Sequence, residues 1–220
     1  FFVSSCMKRL WLIVFVLHFE KSFSQISSRV FYNNEIWGVR VYQGYATYRP
    51  LIAIIGTGDM PIERHGTGIR GIDLSKKIIN KQNRSGVDWH LKFGFIRHLE
   101  KGYQQNHNQY NIFIQANYNK IVLGYPINFF IGEGLSYAEL VPYVEGRDTR
   151  RISGRDSKLM NYLNVGFDIS TYHLYPKIGL INLYLGFAVS HRSGIYKKIS
   201  FFNNTQGGGN FVTLFTEYKF

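Results

Sequence analysis

Apolar and polar residues alternate with a period of two along much of this chain, and this pattern limits its possible folds more than any other feature. The clearest case is VDWHLKFGFIRHL, in which Val87, Trp89, Leu91, Phe93 and Phe95 alternate with mostly polar residues. Consecutive residues of a β-strand point to opposite faces, so the pattern predicts a strand with one apolar and one polar face. Beyond residue 24, no apolar run reaches the roughly 18 residues that a membrane-spanning helix needs.

Similar segments elsewhere predict eight strands in total. We place them at 36–48, within 50–85, and at 86–99, 109–119, 126–138, 158–170, 179–193 and 210–220. The second strand is the hardest to position, and LIAIIGT at 51–57 is one candidate for it.

The composition favours a membrane barrel. Aromatic residues make up 17% of the 220 residues and there are 22 glycines, a combination typical of β-barrels with aromatic girdles. The formal net charge of +12 fits either a nucleic acid or an anionic membrane surface as partner. We therefore predict an all-β fold, an eight-stranded antiparallel transmembrane β-barrel, with a soluble sandwich or lipocalin-like carrier as the alternative.

The N-terminal segment has the features of an export signal. Translation is expected to start at Met7, and Lys8 and Arg9 precede an apolar run at 10–17. Small residues stand before a cleavage point at Gln25. We predict a leader and signal peptide over 1–24 and the barrel over 25–220; a buried N-terminal helix is the alternative for this segment.

Export has consequences for chemistry and partners. The single cysteine is Cys6, so the mature chain would have neither disulfides nor a catalytic thiolate. We expect a bacterial outer-membrane location, contact with membrane lipid and lipopolysaccharide, and no nucleic-acid partner. The last predicted strand ends in Phe220 and resembles the signal that the barrel-assembly machinery reads during insertion.

Loop lengths predict which end of the barrel faces outward. Bacterial barrels have short periplasmic turns and long outer loops. The long segments 139–157 and 194–208 then lie outside, and the shorter 120–125 and 171–178 lie on the periplasmic side. Eight strands enclose only side chains, so the polar lumen should form a closed network rather than a pore.

Two other patterns do not indicate a cofactor or a metal. GTGIRG at 66–71 matches the dinucleotide fingerprint, but that motif requires a strand directly before it and a helix directly after it, so we interpret it as a glycine-rich loop. The histidines His65, His90, His98 and His107 lack a metal-ligand spacing. We predict no cofactor and no metal.

The candidate site lies in LINLYLGFAVSHRSGIY. By parity, His191 and Ser193 continue the lipid-facing row of apolar residues at 181, 183, 185, 187 and 189, at the outer end of strand 7. Their Cβ atoms should lie about 7 Å apart, so that an imidazole leaning along the strand reaches the hydroxyl. A nucleophile and a base in this arrangement suit acyl transfer. The alternative is that both are interfacial polar residues that end a membrane strand.

A His-x-Ser on the lipid-facing wall of an eight-stranded barrel resembles the outer-membrane lipid A deacylases. The segments GEGLSYA at 132–138, HRSG at 191–194 and GGGN at 207–210 are similar to a deacylase-like group of exported barrels. The resemblance implies an esterase that hydrolyses an ester-linked acyl chain of lipid A, with His191 as base and Ser193 as nucleophile. Gly194 stands where the family has an asparagine near the oxyanion, and we expect backbone amides near Gly194 to hold the oxyanion.

The resemblance also implies a glutamate that orients the histidine, but no acidic residue lies between Ser193 and Asn210. Asn203, Asn204, Gln206 or Asn210 could take that role without a charge, and Asn204 and Asn210 are the leading candidates. Basic residues expected at the outer rim suit lipid phosphates: Arg147, Arg150, Arg151, Arg155, Arg192, Lys197 and Lys198. A non-enzymatic barrel that binds lipid or a partner through its outer loops remains the alternative function.

Overall fold

A computed structural model describes residues 35–79, 86–177, 179–195 and 199–220. Eight antiparallel strands, each paired with its sequence neighbours, close into a barrel in which β1 also pairs with β8. The strands are β1 Trp37–Thr47, β2 Gly68–Ile79, β3 Asp88–Leu99, β4 Asn108–Val122, β5 Tyr125–Ala138, β6 Leu159–Ser170, β7 Leu183–Ser193 and β8 Gly208–Lys219. The predicted fold class is confirmed.

Within the described residues, four short helices lie between the strands. They are α1 Leu51–Thr57, α2 Tyr143–Ser153, α3 Thr171–Leu174 and a 3-10 turn at Ser200–Phe202. Among the described residues, no helix is long and apolar enough to cross a membrane. The predicted signal peptide over 1–24 lies outside the described residues and stays a prediction.

The second strand is not where the LIAIIGT candidate placed it. Residues 51–57 form helix α1, which follows Pro50 and ends at Gly58, whose φ of 69° is left-handed. Five consecutive apolar residues do not alternate, so they suit a short helix better than a half-buried strand. The true β2 is difficult to recognise because it carries charges on both faces, with Asp73 in the lumen and Arg70 and Lys76 on the outer wall.

This assignment also corrects the interpretation of GTGIRG as a loop. Gly66 occupies a turn with a φ of 63°, but residues 68–71 are the first residues of β2. The motif is thus followed by a strand, whereas a dinucleotide site needs a helix there.

The outer wall of the barrel is apolar. Its exposed side chains form a continuous belt that includes Val41, Ile72, Phe93, Phe95, Ile112, Ile114, Ile131, Phe167, Leu185 and Leu214. Exposed aromatic residues flank the belt at both ends: Trp37, Trp89, Tyr118 and Tyr218 on one side, Tyr110 and Tyr137 on the other. An apolar wall of this extent between two aromatic girdles is the pattern of a barrel in a lipid bilayer.

The lumen is filled by side chains. Glu217 accepts hydrogen bonds from Arg40 at 2.6 and 2.8 Å and from Lys92 at 3.0 Å. The Arg40 guanidinium also lies 3.8 Å from the centre of the Phe215 ring. Charges in a barrel of this size have to be compensated within it, and these contacts compensate them.

Two glycines make room for the lumen aromatics. A Cβ at Gly71 would lie 2.3 Å from the Tyr42 ring, and one at Gly186 would lie 2.2 Å from the Phe215 ring. Both contacts are far below van der Waals distance, so any other residue at these inward positions would displace a ring.

At the end of the barrel away from the start of β1 and the end of β8, contacts tie the long loops together. Glu63 of the β1–β2 loop accepts hydrogen bonds from the His65 backbone N–H at 2.6 Å and from Arg147 of α2 at 3.1 Å. His65 packs edge-on against Tyr103 of the β3–β4 loop and Tyr143 of α2. Three loops therefore form one cap over the barrel mouth, which we call the loop cap.

Candidate functional site

His191 and Ser193 lie on the outer wall at the loop end of β7. The register pairs His191 with Leu163 of β6 and with Asn210 of β8, and pairs Ser193 with Asn161 of β6. Both side chains are half-buried. The parity that places them on the lipid-facing row comes directly from strand geometry, because the apolar residues before them occupy the same face.

The aromatic girdle indicates their depth in the wall. Ser193 pairs with Asn161 of β6, and Asn161 pairs in turn with Leu135 of β5, so these three residues lie at about the same height in the wall. Tyr137, two residues further along β5, belongs to the girdle at the loop end and is 46% exposed. Girdle aromatics sit at the level of the headgroups, so the site lies beside that interface.

Asn210 fixes the state of the His191 imidazole. The Asn210 amide nitrogen donates to the Arg49 carbonyl at 2.9 Å, which leaves its carbonyl oxygen to face β7. That oxygen accepts a hydrogen bond from His191 Nδ1 at 2.7 Å. An amide oxygen can only accept, so Nδ1 carries the proton and Nε2 carries the lone pair, the tautomer of a general base.

Ser193 provides a hydroxyl on the same face of the same strand. The hydrogen bond of the His191 ring goes to Asn210, and no bond between His191 and Ser193 forms within the part of the chain that the structure describes. Residues two apart on one strand lie about 7 Å apart, so a hydrogen bond between them requires the imidazole to lean along the strand. Asn161 is directly opposite Ser193, where paired Cβ atoms lie about 5 Å apart.

The two other residues predicted for this site have different surroundings. Asn204 has a left-handed φ of 49° and does not contact His191 among the described contacts, so Asn210 is the asparagine that meets the histidine. The Gly194 backbone N–H donates to the Gly207 carbonyl at 3.3 Å. The oxyanion role of Gly194 stays a prediction, and it requires this long hydrogen bond to be exchanged for the substrate.

Glu133 does not take the orienting role. It lies on the outer wall of β5 and pairs with Leu163, which in turn pairs with His191. Two strand spacings separate it from the imidazole, about 9.5 Å, which is too far for a hydrogen bond. A carboxylate on a lipid-facing wall is nevertheless unusual, and it makes this side of the barrel more polar near the site.

Arg192 is not a lipid-phosphate ligand. It points into the lumen, is 2% exposed, and donates from Nη1 to both carboxylate oxygens of Glu145 at 3.0 and 3.1 Å. Consecutive residues of a strand face opposite sides, so the same geometry that puts His191 and Ser193 on the wall turns Arg192 inward. Burial, only partly opposed by Arg192, raises the pKa of Glu145 to about 7.

Four of the other predicted phosphate ligands lie in or near helix α2 of the loop cap. Arg147 pairs with Glu63, Arg150 with Asp156, and Arg151 with Asp148 at 2.8 Å. Arg155 is exposed and makes no ion pair within the described part of the chain, whereas Lys197 and Lys198 lie outside it. Surface pairs of this kind exchange readily for another anion, so a phosphate role for the paired arginines stays a prediction.

Two basic residues that the sequence analysis did not select also face outward near the loop end. Arg70 of β2 and Arg97 of β3 are direct cross-strand partners, and both are exposed. Arg97 donates to the Asn108 side chain at 2.8 Å. The sequence signal for both residues was a charge at an outward-facing position of a strand. A charge in a lipid-facing row is costly, so its presence there points to a role.

The histidines have no metal-ligand spacing in the sequence, but the fold brings one pair of them together. His98, near the end of β3, and His107, directly before β4, stack with ring centres 4.6 Å apart and planes 4° apart. The β3–β4 hairpin brings them together, although they are nine residues apart in the sequence.

Comparison with solved structures finds small barrels with a similar fold. The outer-membrane enzyme PagL matches with a TM-score of 0.50 at 13% identity, over 82% of this chain and 98% of that chain. The N-terminal β-barrel domain of OprF from Pseudomonas aeruginosa has a TM-score of 0.47 at 10% identity, over 84% of this chain and 98% of that chain. Neisserial surface protein A has a TM-score of 0.42 at 12% identity, over 84% and 97% of the two chains.

These likenesses establish a fold. The chain has the closed eight-stranded architecture of small outer-membrane barrels, and its apolar wall is that of a membrane-embedded protein in contact with lipid. Neither the comparison with protein-family models nor that with curated protein sequences gives a match.

Proposed function

We propose that this barrel is a lipid-directed ester hydrolase, with Ser193 as nucleophile, His191 as general base and Asn210 as the residue that orients the base. One observation carries the proposal: the hydrogen bonds of Asn210 hold His191 with Nδ1 protonated and Nε2 available.

The chemistry is a two-step acyl transfer. Ser193 Oγ attacks the ester carbonyl carbon as its proton passes to His191 Nε2, and that proton then goes to the departing alkoxide. Water hydrolyses the acyl-serine in the second step, again with His191 as base. The Gly194 N–H and the Asn161 amide, opposite Ser193, are the groups from which we expect donors to the oxyanion.

The position of the pair suggests the substrate. A group on the outer wall beside the headgroup interface meets membrane lipids and their acyl ester bonds, whereas soluble esters reach it only at low concentration. The resemblance to lipid A deacylases points to an ester-linked acyl chain of lipid A. The exposed arginines at this end, Arg70, Arg97 and Arg155, suit its phosphates.

The test is mass spectrometry of lipid A from cells that carry the wild type, Ser193→Ala or Thr216→Val. Thr216 is exposed on the neighbouring strand β8, so its loss controls for the removal of a hydroxyl from the wall. The proposal expects an acyl chain to be lost with the wild type and with Thr216→Val and retained with Ser193→Ala. Identical lipid A in all three strains, with each barrel folded in the membrane, would refute it.

A non-enzymatic barrel is the second candidate, and the loop cap favours it. Contacts among Glu63, His65, Tyr103, Tyr143 and Arg147 build a defined surface at the barrel mouth that could hold a lipid or a partner. This candidate expects Ser193→Ala to have no effect and the loss of the exposed α2 arginines to reduce binding.

A further inference from the structure

A groove with a volume of about 530 Å³ crosses the outer wall from β2 through β1 and β8 to β7. Its floor is a row of residues in which each pairs with the next, namely Gly71, Tyr42, Phe215 and Gly186. Neighbouring strands lie about 4.8 Å apart, so a row over four strands is about 14 Å long. We call this feature the wall groove, and its length suits an extended hydrocarbon chain.

The sides of the wall groove are mostly apolar. Alternation along each strand points the residues on both sides of the floor row towards lipid. Leu214 is 67% exposed and Val41 is 54% exposed, so both are largely uncovered. Apart from Arg70, the side chains along the two sides carry no charge: Gln43, Leu214, Val41, Thr216 and Leu185. Away from Arg70, the groove therefore offers a neutral surface that a hydrocarbon chain can cover.

The two ends of the wall groove lie at different depths in the membrane. Gly71 is the fourth residue of β2, which starts at the loop end of the barrel, whereas Gly186 is the fourth residue of β7, which starts at the opposite end. The groove thus descends from the loop end into the apolar belt, where Leu185 and Leu214 lie. A lipid in this groove would have its polar part beside β2 and its chain directed towards β7.

Two arginines stand at the loop end of the wall groove. Arg70 lines the groove, and Arg97 of β3 is the direct cross-strand partner of Arg70. Like charges directly opposite each other on neighbouring strands are destabilising. Within the part of the chain that the structure describes, neither arginine forms an ion pair, and the hydrogen bond of Arg97 goes to the neutral side chain of Asn108. An anion between the two guanidinium groups would balance their charges.

The carboxylate of Glu139 is close enough to Arg97 for an electrostatic interaction, but its hydrogen bonds go elsewhere. It accepts from the Asn108 backbone N–H at 2.9 Å, from the Asn108 amide at 3.1 Å and from the Tyr110 hydroxyl at 3.2 Å. In the sheet, Glu139 lies beyond Asn108, on the side away from Arg70. Glu139 therefore offsets part of the charge of Arg97 from a distance, and the arginine pair keeps a net attraction for an anion.

The aromatic girdle places the arginine pair at the level of the lipid headgroups. Phe95, two residues before Arg97 on the same face of β3, packs edge-on against Tyr110 of the girdle, with ring centres 5.7 Å apart. Arg97 lies about 7 Å further along the strand towards the loop end than Phe95. Girdle aromatics mark the boundary between hydrocarbon and headgroups, so both arginines lie where lipid phosphates lie.

We propose that the wall groove binds one membrane lipid, with a hydrocarbon chain in the groove and its phosphate between Arg70 and Arg97. A guanidinium group binds phosphate through two parallel hydrogen bonds, so two adjacent arginines form a strong phosphate site. Ser193 lies on β7, three strand spacings from β2, which is about 14 Å. The phosphate site is thus separate from the proposed catalytic pair and does not depend on ester hydrolysis.

The experiment is native mass spectrometry of the full barrel, refolded in detergent and titrated with an ether-linked phosphatidic acid. Ether-linked chains contain no ester, so hydrolysis cannot affect the result. We expect one bound lipid per chain in the wild type. Combining Arg70→Gln with Arg97→Gln should weaken binding by about 100-fold or more, because two charge-assisted contacts are lost. Lys76→Gln is the charge control and should bind like the wild type, because Lys76 is exposed on the same face of β2 at the other end of the strand.

Two further ligands separate the contributions of chain and phosphate. The matching dialkylglycerol has the chains without the phosphate, and sodium phosphate has no chains, so each should bind at least about 10-fold more weakly than the phosphatidic acid. Val41→Trp fills the groove and should weaken binding of the phosphatidic acid, whereas Ile112→Trp, on the outer wall of β4 away from the groove, should not. Absence of binding in a folded wild type would overturn the proposal. So would wild-type affinity in the double arginine variant or in Val41→Trp, or an equal affinity for sodium phosphate.

Discussion

Arg192 donates two hydrogen bonds from the barrel lumen to the carboxylate of Glu145, at 3.0 and 3.1 Å, and so holds helix α2 in the barrel mouth. The Arg192 Nη2 also donates to the Lys158 carbonyl at 2.8 Å. One turn of a loop helix thus becomes part of the barrel interior. The residue directly before it, His191, faces lipid, so the lumen support and the candidate catalytic wall share a strand.

Breaking this pair should destabilise the barrel strongly. Arg192→Met leaves the Glu145 carboxylate buried without a partner, and we expect a loss of about 3–5 kcal/mol in the free energy of unfolding. The measurement is urea unfolding in detergent, followed by tryptophan fluorescence. Arg151→Met removes the exposed pair with Asp148 and should cost less than about 1 kcal/mol. Equal losses in the two variants would contradict the role of the lumen pair.

The lumen network around Glu217 should be equally sensitive. Glu217→Ala leaves Arg40 and Lys92 buried without their carboxylate, and we again expect about 3–5 kcal/mol of destabilisation. Glu133→Ala on the outer wall removes an exposed charge from a lipid-facing row and should be neutral or stabilising. The test is to measure the free energy of unfolding of both variants in the same lipid. It should fall in Glu217→Ala and should not fall in Glu133→Ala.

The Asn210 side chain should tune the rate of ester hydrolysis. Asn210→Ala frees the imidazole to rotate and to change tautomer, and we expect a loss of about 100-fold in rate. Asn210→Asp keeps the acceptor and adds a charge that stabilises the imidazolium, so it should retain or exceed wild-type activity. The assay is fatty-acid release from purified lipid A. Asn161→Asp is the comparison: it removes an expected oxyanion donor and should lower the rate, whereas a gain there but not at position 210 would assign the orienting role to Asn161.

Stability should depend on pH through Glu63 of the loop cap. Burial alone raises the pKa of Glu63, but hydrogen bonds from His65 and Arg147 outweigh it and hold the value below 4.5. The folded state therefore favours the carboxylate, and the stabilisation is present above pH about 4.5 and is lost as the pH falls below it. Glu63→Gln should flatten this part of the profile.

Limited proteolysis of the loop cap as a function of pH measures this effect. The wild-type cap should become more susceptible below pH about 4.5, whereas Glu63→Gln should be equally susceptible above and below that value. Asp148→Asn is the control, because Asp148 forms an exposed ion pair with Arg151 on helix α2 of the loop cap. This variant should follow the wild type. A wild-type profile in Glu63→Gln would show that another group is responsible.

Strand periodicity was sufficient to predict seven of the eight strands, because apolar residues in their outward rows make the alternation visible. It failed for β2, where Arg70 and Lys76 face outward and Ile69 faces inward. The parity that located Ser193 on the wall is equally a sequence property. It also implied that Arg192 points inward, but its partner Glu145 is 47 residues away, and no local pattern relates the two.

The sequence by itself determined which side chains face lipid and which face the lumen, because direction alternates strictly along a strand. It also narrowed the orienting residue to two leading candidates, both asparagines. Only the closed barrel decided between them, since strand register sets His191 opposite Asn210. The same holds for the wall groove, whose floor comes from four strands, β1 and β8 among them. Contacts between strands depend on register and closure, and these are properties of the whole sheet.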